Sequence, residues 1–276
     1  MQQVFTRTFI AAALLTASQA SMAAPMFDEN VTPDVIFGSG NANGGFTVVQ
    51  SNGVELGLRG KLRHNASGAP ENTFNSNGDG SYSFNTGVAP TQASPTAEWS
   101  FEWSINTDWD GSTDWNLADL TYLLGIDTDP GQGTLFSAFD PIKGVEPGAG
   151  TVCWDHGMGD NLTGNGDGTK VSTCRSTDSA TAAAAVTTYG NNISSLNVAQ
   201  NSWKAHWFFG PTFDPTVDGT YDLYLAAFDG STQVARTDIQ IIAGNGGAAA
   251  VPVPGTLALL GLGLAGLGFA RRKPRV

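Results

Sequence analysis

Residues 98–105 read Glu-Trp-Ser-Phe-Glu-Trp-Ser-Ile. Trp99, Phe101, Trp103 and Ile105 alternate with Glu98, Ser100, Glu102 and Ser104, so a period of two sets an aromatic face against a polar one. That is the pattern of a strand with one face in a core. Residues 54–63 repeat it, with Val54, Leu56, Leu58 and Leu62 against Glu55, Arg59, Lys61 and Arg63; Tyr221, Leu223 and Leu225 repeat it again. Asp229-Gly230-Ser231 offers a hairpin turn into a strand through Val234 and Ile239–Ile241. Shorter strands are expected at Phe46–Gln50, Ser81–Phe84, Leu120–Ile126, Thr134–Phe139 and Trp203–Phe209. No long helical period is visible. Ala180–Ala185 reads as an alanine run in a polar loop, and residues 140–200 as a long excursion. Many short strands joined by Gly, Asn and Asp predict an all-β chain, a β-sandwich or jelly roll.

Two segments fall outside that pattern. Residues 1–24 carry one basic residue, Arg7, then an apolar stretch from Phe9 to Ala17 and small residues before Ala24, the layout of a secretory signal peptide. At the other end, Thr256–Ala270 holds no charge and is followed by Arg271, Arg272, Lys273 and Arg275. At about 1.5 Å per residue, residues 251–270 reach roughly 30 Å as a helix, enough to cross a bilayer. The basic cluster would stay cytoplasmic and the folded part outside. Pro252 and Pro254 stop that helix from running back into the domain. The expected organisation is therefore a signal peptide (1–24), a β-sandwich mature domain (25–250) and a C-terminal sorting or anchoring helix (251–276).

The order Val251-Pro252-Val253-Pro254-Gly255-Thr256, an apolar Leu/Gly span and a terminal basic cluster resembles the PEP-CTERM sorting signal of Gram-negative bacteria. The family motif is Pro-Glu-Pro, and valine stands here in place of the glutamate. The resemblance implies cleavage near the prolines by an exosortase-type enzyme, transient residence in the inner membrane, and a destination in the cell envelope or extracellular matrix, where such proteins accompany exopolysaccharide and biofilm. A GPI-type signal shares the removed tail but lacks the basic cluster. ELGLRGKLRHN (55–65), ENTFNSNGDGSYSF (71–84), EWSFEWSIN (98–106) and GTYDLYLAAFD (219–229) also resemble segments that recur together in exosortase-tagged bacterial proteins. That likeness implies an address and leaves the activity open.

Five of the thirteen basic residues lie in the two terminal segments, while all twenty-five acidic residues lie between them. Residues 25–250 thus hold eight cations against twenty-five acids, a formal charge of −17. Such a charge repels nucleic acid and anionic lipid and favours solubility or divalent cations. Three of the eight cations, Arg59, Lys61 and Arg63, share one strand face. They are expected to pair with neighbouring carboxylates or, alternatively, to touch an acidic polysaccharide.

Cys153 and Cys174 are the only cysteines, and in an oxidising compartment they predict a disulfide; a zinc site with His156 is the alternative. Asn75, Asn77 and Asp79, followed by Gly80, match the first half of a calcium-binding loop, although position 12 is Thr86. Residues 160–168 and the pairs Asp108/Asp110 and Asp127/Asp129 have similar chemistry. The same residues are those that tight turns require. Calcium is the one cofactor the sequence suggests. All seven tryptophans fall in the mature segment, and Trp109, Trp115 and Trp154 sit in Asp/Gly-rich stretches where an exposed ring could stack on a sugar.

An enzyme is not expected: no G-x-S-x-G or H-E-x-x-H motif is present, and His64, His156 and His206 stand apart from one another. Glu98 and Glu102 share a strand face, but their Cα atoms lie roughly 13 Å apart, too far for paired glycosidase carboxylates without side-chain convergence. The expected function is that of a structural or adhesive protein of the cell surface or exopolysaccharide matrix. A calcium-assisted carbohydrate-binding module is the alternative.

Overall fold

A computed structural model describes residues 23–146 and 150–247. The sorting signal, and all but the last two residues of the signal peptide, lie outside the described residues.

The chain folds into two sheets. The first contains β1 (Met26–Glu29), β2 (Phe46–Ser51), β3 (Val54–His64), β4 (Pro70–Thr73), β6 (Trp99–Asn106), β9 (Gly157–Gly159) and β10 (Val198–Lys204). They run in the order β1-β2-β3-β6-β10-β9, with β4 paired to the far end of β3. The second contains β5 (Ser81–Phe84), β7 (Thr121–Asp127), β8 (Phe136–Phe139), β11 (Gly219–Asp229) and β12 (Thr232–Ala243), in the order β5-β12-β11-β7-β8. All pairings are antiparallel except that of β5 with β12. The expected sandwich is what forms, and Gly230-Ser231 makes the two-residue link between the paired Asp229 and Thr232.

The quoted alternation places the core. Trp99, Phe101, Trp103 and Ile105 face the second sheet, with Leu56 and Leu58 beside them and Leu124, Leu225 and Ile241 opposite, all buried. The sheets approach closely at Gly60, where a Cβ would lie 2.8 Å from the Ile241 Cδ1 and 2.9 Å from the Tyr82 Cβ. Bare backbone at that position lets the second sheet close over β3.

The polar face of β6 was expected in solvent, and it is not. Every residue of β6 is buried, because residues 30–45 fold back across the outside of the first sheet. Val31, Val35 and Phe37 pack there on Phe46 and Val48 as a second apolar cluster. Ser104 and Gln200 bond beneath that cover, and Gln200 ties it down: its Oε1 accepts from the Ile36 N–H at 2.8 Å and its Nε2 donates to the Asp34 carbonyl at 2.8 Å.

Two further expectations are corrected. The alanine run belongs to a 15-residue helix, α1 (Ser179–Ile193), whose first turn is capped by Asp178 accepting from the Thr181 N–H at 2.9 Å. Ala185, Tyr189 and Ile193 recur every four residues and are the ones it buries; alanine supplies the helix propensity and little apolar signal. The strand placed at Trp203–Phe209 runs instead over Val198–Lys204, where its register with β6 holds from Val198↔Asn106 to Lys204↔Ser100. After it, Ala205–Trp207 coil into a 3-10 turn.

Cys153 and Cys174 form a disulfide with Cα atoms 5.4 Å apart, closing a loop of 21 residues. Loop-closure entropy gives such a link roughly 3 kcal/mol of stabilisation. Denaturant titrations with and without reductant should differ by about that amount, and a Cys153→Ser, Cys174→Ser variant should match the reduced protein.

Candidate functional site

The 3-10 turn after β10 builds a concavity lined by aromatic and charged side chains. The Phe208 N–H returns to the Ala205 carbonyl at 3.0 Å, folding Phe208 inward and leaving Trp207 outside, 52% exposed. Below the turn, Trp203 centres an aromatic wall. Its ring centroid lies 4.6 Å from that of Phe208, 5.3 Å from Trp103 and 5.5 Å from Trp154. Two cavities of about 330 and 450 Å³ open here, and both are bordered by Trp203, Trp207 and Asp155. They make one cleft bent around the end of β10. Its smaller arm is closed by the Glu146–Arg175 pair at 2.6 Å and by the disulfide at Cys174.

The larger arm runs along the outer face of the first sheet, where charge is concentrated. Pairing register sets Arg59 opposite Glu102, and sets both Lys61 and Lys204 opposite Ser100. Glu102 is fully buried and answers two cations, with Arg59 Nη2 at 2.5 Å and Lys61 Nζ at 3.2 Å. Burial alone would raise its carboxyl, but the two adjacent charges outweigh that and hold it below the ordinary carboxylate range. The Arg59 guanidinium lies between the rings of Phe46 and Phe74, 4.0 and 3.9 Å from their centroids, and donates to the Ala42 and Gly44 carbonyls. Lys61 also donates to the Asn41 Oδ1 at 2.8 Å. The expected pairing of this trio with carboxylates therefore holds for Arg59 and Lys61. Arg63 bonds instead to the Ser202 carbonyl and hydroxyl at 3.2 and 3.3 Å.

His156 is a satisfied core histidine. A carbonyl can only accept, so its 2.7 Å contact with the Pro141 oxygen fixes the proton on Nε2; Nδ1 then accepts from Asn201 Nδ2 at 3.0 Å. Burial pushes its pKa down to about 4.

The other sequence-derived residues are dispersed. Trp154 was expected in a surface loop but is 2% exposed, with its Nε1 donated to the Gly144 carbonyl, and it serves as cleft wall. Trp109 and Trp115 are half-buried beyond the opposite end of β6, roughly 20 Å along the strand from the Trp207 end. Asn75, Asn77 and Asp79 form a turn. Asn77 Nδ2 donates to the Ser81 and Ser83 hydroxyls, and Asp79 Oδ1 accepts from the Ser81 N–H and Oγ. Asp108, Asp110, Asp127 and Asp129 likewise accept from backbone N–H groups two to eight residues ahead, and Asp160 from that of Leu162. Among the described residues, no three His, Cys, Asp or Glu side chains converge as a metal-ligand set. No described helix is long and apolar enough to cross a membrane. Trp207 was not singled out by sequence, because it sits in an apolar run that resembles a buried strand.

Beyond the described residues, 250–273 match the family model of the PEP-CTERM protein-sorting motif. The chain carries a PEP-CTERM sorting signal. The signal spans Pro252-Val253-Pro254 and the basic residues to Lys273, and it supports secretion, transient anchoring through the C-terminus and processing by an exosortase-type enzyme. No curated protein and no solved structure matches the chain.

Two outcomes are expected. Glu102→Gln should destabilise the fold by about 3–5 kcal/mol in denaturant titrations, since it leaves two buried cations without a counter-charge. The second concerns pH. The unfolded chain protonates His156 near its ordinary value of 6.5, whereas the folded chain does so only near 4. The neutral imidazole therefore contributes in full above pH 6.5, and its contribution, of order 3 kcal/mol, is lost as pH falls from 6.5 to 4. His156→Gln should flatten the stability curve across that window relative to the unaltered protein.

Proposed function

We propose that residues 25–250 act as a structural or adhesive component of the cell surface or exopolysaccharide matrix. In this reading the C-terminal signal delivers the domain to the outer side of the inner membrane. Cleavage near Pro252-Val253-Pro254 then frees it. The match at residues 250–273 is the observation that carries this reading.

The character of the domain agrees with it. A disulfide and a central strand, β6, covered on both faces suit a protein that must persist outside the cell. A charge of −17 keeps it soluble and clear of anionic lipid. Contact with carbohydrate is favoured by a specific feature, the exposed Trp207 ring at the mouth of an aromatic cleft. Trp109 and Trp115 are not part of that surface.

Fractionation of producing cells, with intact mass measured in membrane and released material, tests the route. A released species ending near residue 250 is expected. Pro252→Ala, Pro254→Ala should accumulate in the membrane as a chain ending at Val276. Finding the unaltered protein only in that full-length membrane form would overturn release into the matrix.

A further inference from the structure

The outer-face arm of the cleft holds a charge imbalance that the fold leaves open. Arg59 and Lys61 share one carboxylate, so the buried trio retains one positive charge. Arg63 and Lys204 extend the same face, and Lys170 borders the opening. Among the described residues Arg63, Lys170 and Lys204 form no ion pair; Lys204 Nζ donates to the Gln92 Oε1 at 2.9 Å, and Arg63 uses only Nη1. Arg63 lowers the pKa of Lys204, and Lys204 lowers those of His64 and His206, in each case after the effect of burial, as expected for like charges held together. Asp155 is the single carboxylate at the junction of the two arms that is not in an ion pair, and its Oδ1 accepts from Asn201 Nδ2 at 3.3 Å. Three of the eight mature-segment cations, Lys61, Arg63 and Lys170, thus border one arm of the cleft, with Arg59 buried beside Lys61 and Lys204 on the same sheet face, in a domain whose formal charge is −17.

We propose that this cleft binds a carboxylated saccharide, a hexuronate unit of an extracellular polysaccharide, with the sugar ring stacked on Trp207 and its carboxylate held by Arg63. The unused N–H groups of Arg63 present the planar fork that a carboxylate fits. Lys61, Lys170 and Lys204 supply the surrounding field, while Asp155 accepts from sugar hydroxyls. Trp203, which borders the same arm, keeps water from one side of the ring. The 450 Å³ arm is of a size that holds a small ligand. A compact cationic patch on a domain of net charge −17 suits one charge per sugar ring better than a densely charged nucleic acid, which the net charge repels.

Such a site deepens the adhesive role proposed above and rests on it. Protein recovered from producing cells, titrated calorimetrically with a short oligogalacturonate, should bind it and ignore a neutral gluco-oligosaccharide of equal length. Affinity should fall with added salt. Trp207→Ala and Arg63→Gln should each weaken binding by about tenfold or more, whereas Arg236→Gln, on the second sheet, should leave it unchanged. Trp207 is exposed, so its alanine variant should keep the parent's melting temperature. Lys170→Gln, also at the surface, should show a smaller loss and guards against misfolding of the Arg63 variant. Absence of oligogalacturonate binding, equal affinity for the neutral sugar or for single-stranded DNA, or unchanged affinity in both Trp207→Ala and Lys170→Gln would each overturn the site. Released, matrix-bound protein that does not bind uronate would refute the ligand and leave the adhesive role standing. Uronate binding by a chain confined full-length to the membrane would do the reverse.

Discussion

The carboxylate of Glu102 is buried at the centre of the first sheet, and Arg59 and Lys61 on the neighbouring strand both reach it. Ions removed from water remain charged only if the structure supplies what water gave. Here it supplies Glu102 Oε1 and Oε2, two backbone carbonyls, the Asn41 amide oxygen and the faces of Phe46 and Phe74. Ala42, Gly44 and Asn41 belong to the segment that crosses the outer face. That cover is therefore fastened by the charges it buries, two residues along β6 from the position opposite Gln200. With the cover in place, both faces of β6 are sealed, and the cleft opens on that side beyond Lys61. The trio's uncompensated charge faces that opening.

The inner half of the sandwich was legible in sequence because a strand's core face is a local property. Trp99, Phe101, Trp103 and Ile105 announce it without reference to any other segment, and register then carries Leu56, Leu58 and Ala199 beside them. The outer face was misjudged for the converse reason. Ser100, Glu102 and Ser104 are polar, and alternation treats polar as exposed. Their burial depends on a segment some sixty residues earlier in the chain. Cation spacing carried more information than polarity did, since Arg59 and Lys61 on one strand face already predicted pairing with neighbouring carboxylates, and register identifies the partner as Glu102.

The cleft was the least legible part, and Trp207 shows why. An apolar run from Trp203 to Phe209 has the composition of a strand. Its fate is set by where β10 runs out of partner, since pairing stops at Lys204↔Ser100 and the next residues coil. That stop turns one tryptophan out and its neighbours in. Trp154 moved the other way: an Asp/Gly-rich neighbourhood suggested exposure, but the disulfide folds its loop back against Trp203. Helix α1 was hidden because its buried stripe contains only three residues, one of them alanine. The Asn75–Asp79 stretch was ambiguous between ion site and turn. Its side chains are engaged with Ser81 and Ser83, which is the turn's own chemistry.

Charge placement also constrains how a ligand would meet this domain. At a distance the potential of a −17 protein is negative, and an approaching polyanion is repelled. At physiological ionic strength that field decays over about 8 Å, so the cationic patch is felt only at contact. Long-range steering of an acidic ligand is therefore absent, and attraction depends on the ligand reaching into the cleft. A flexible acidic polymer can offer its rings to such a site only when it is already nearby, as it is for a protein held within a polysaccharide matrix. Individually weak, salt-sensitive contacts then become useful through number: many copies along one chain of sugar hold together by effective concentration, with no need for a tight site in any of them. The sorting signal and the cleft are thus connected by physics, since a site of this kind works only where delivery has already made its ligand abundant.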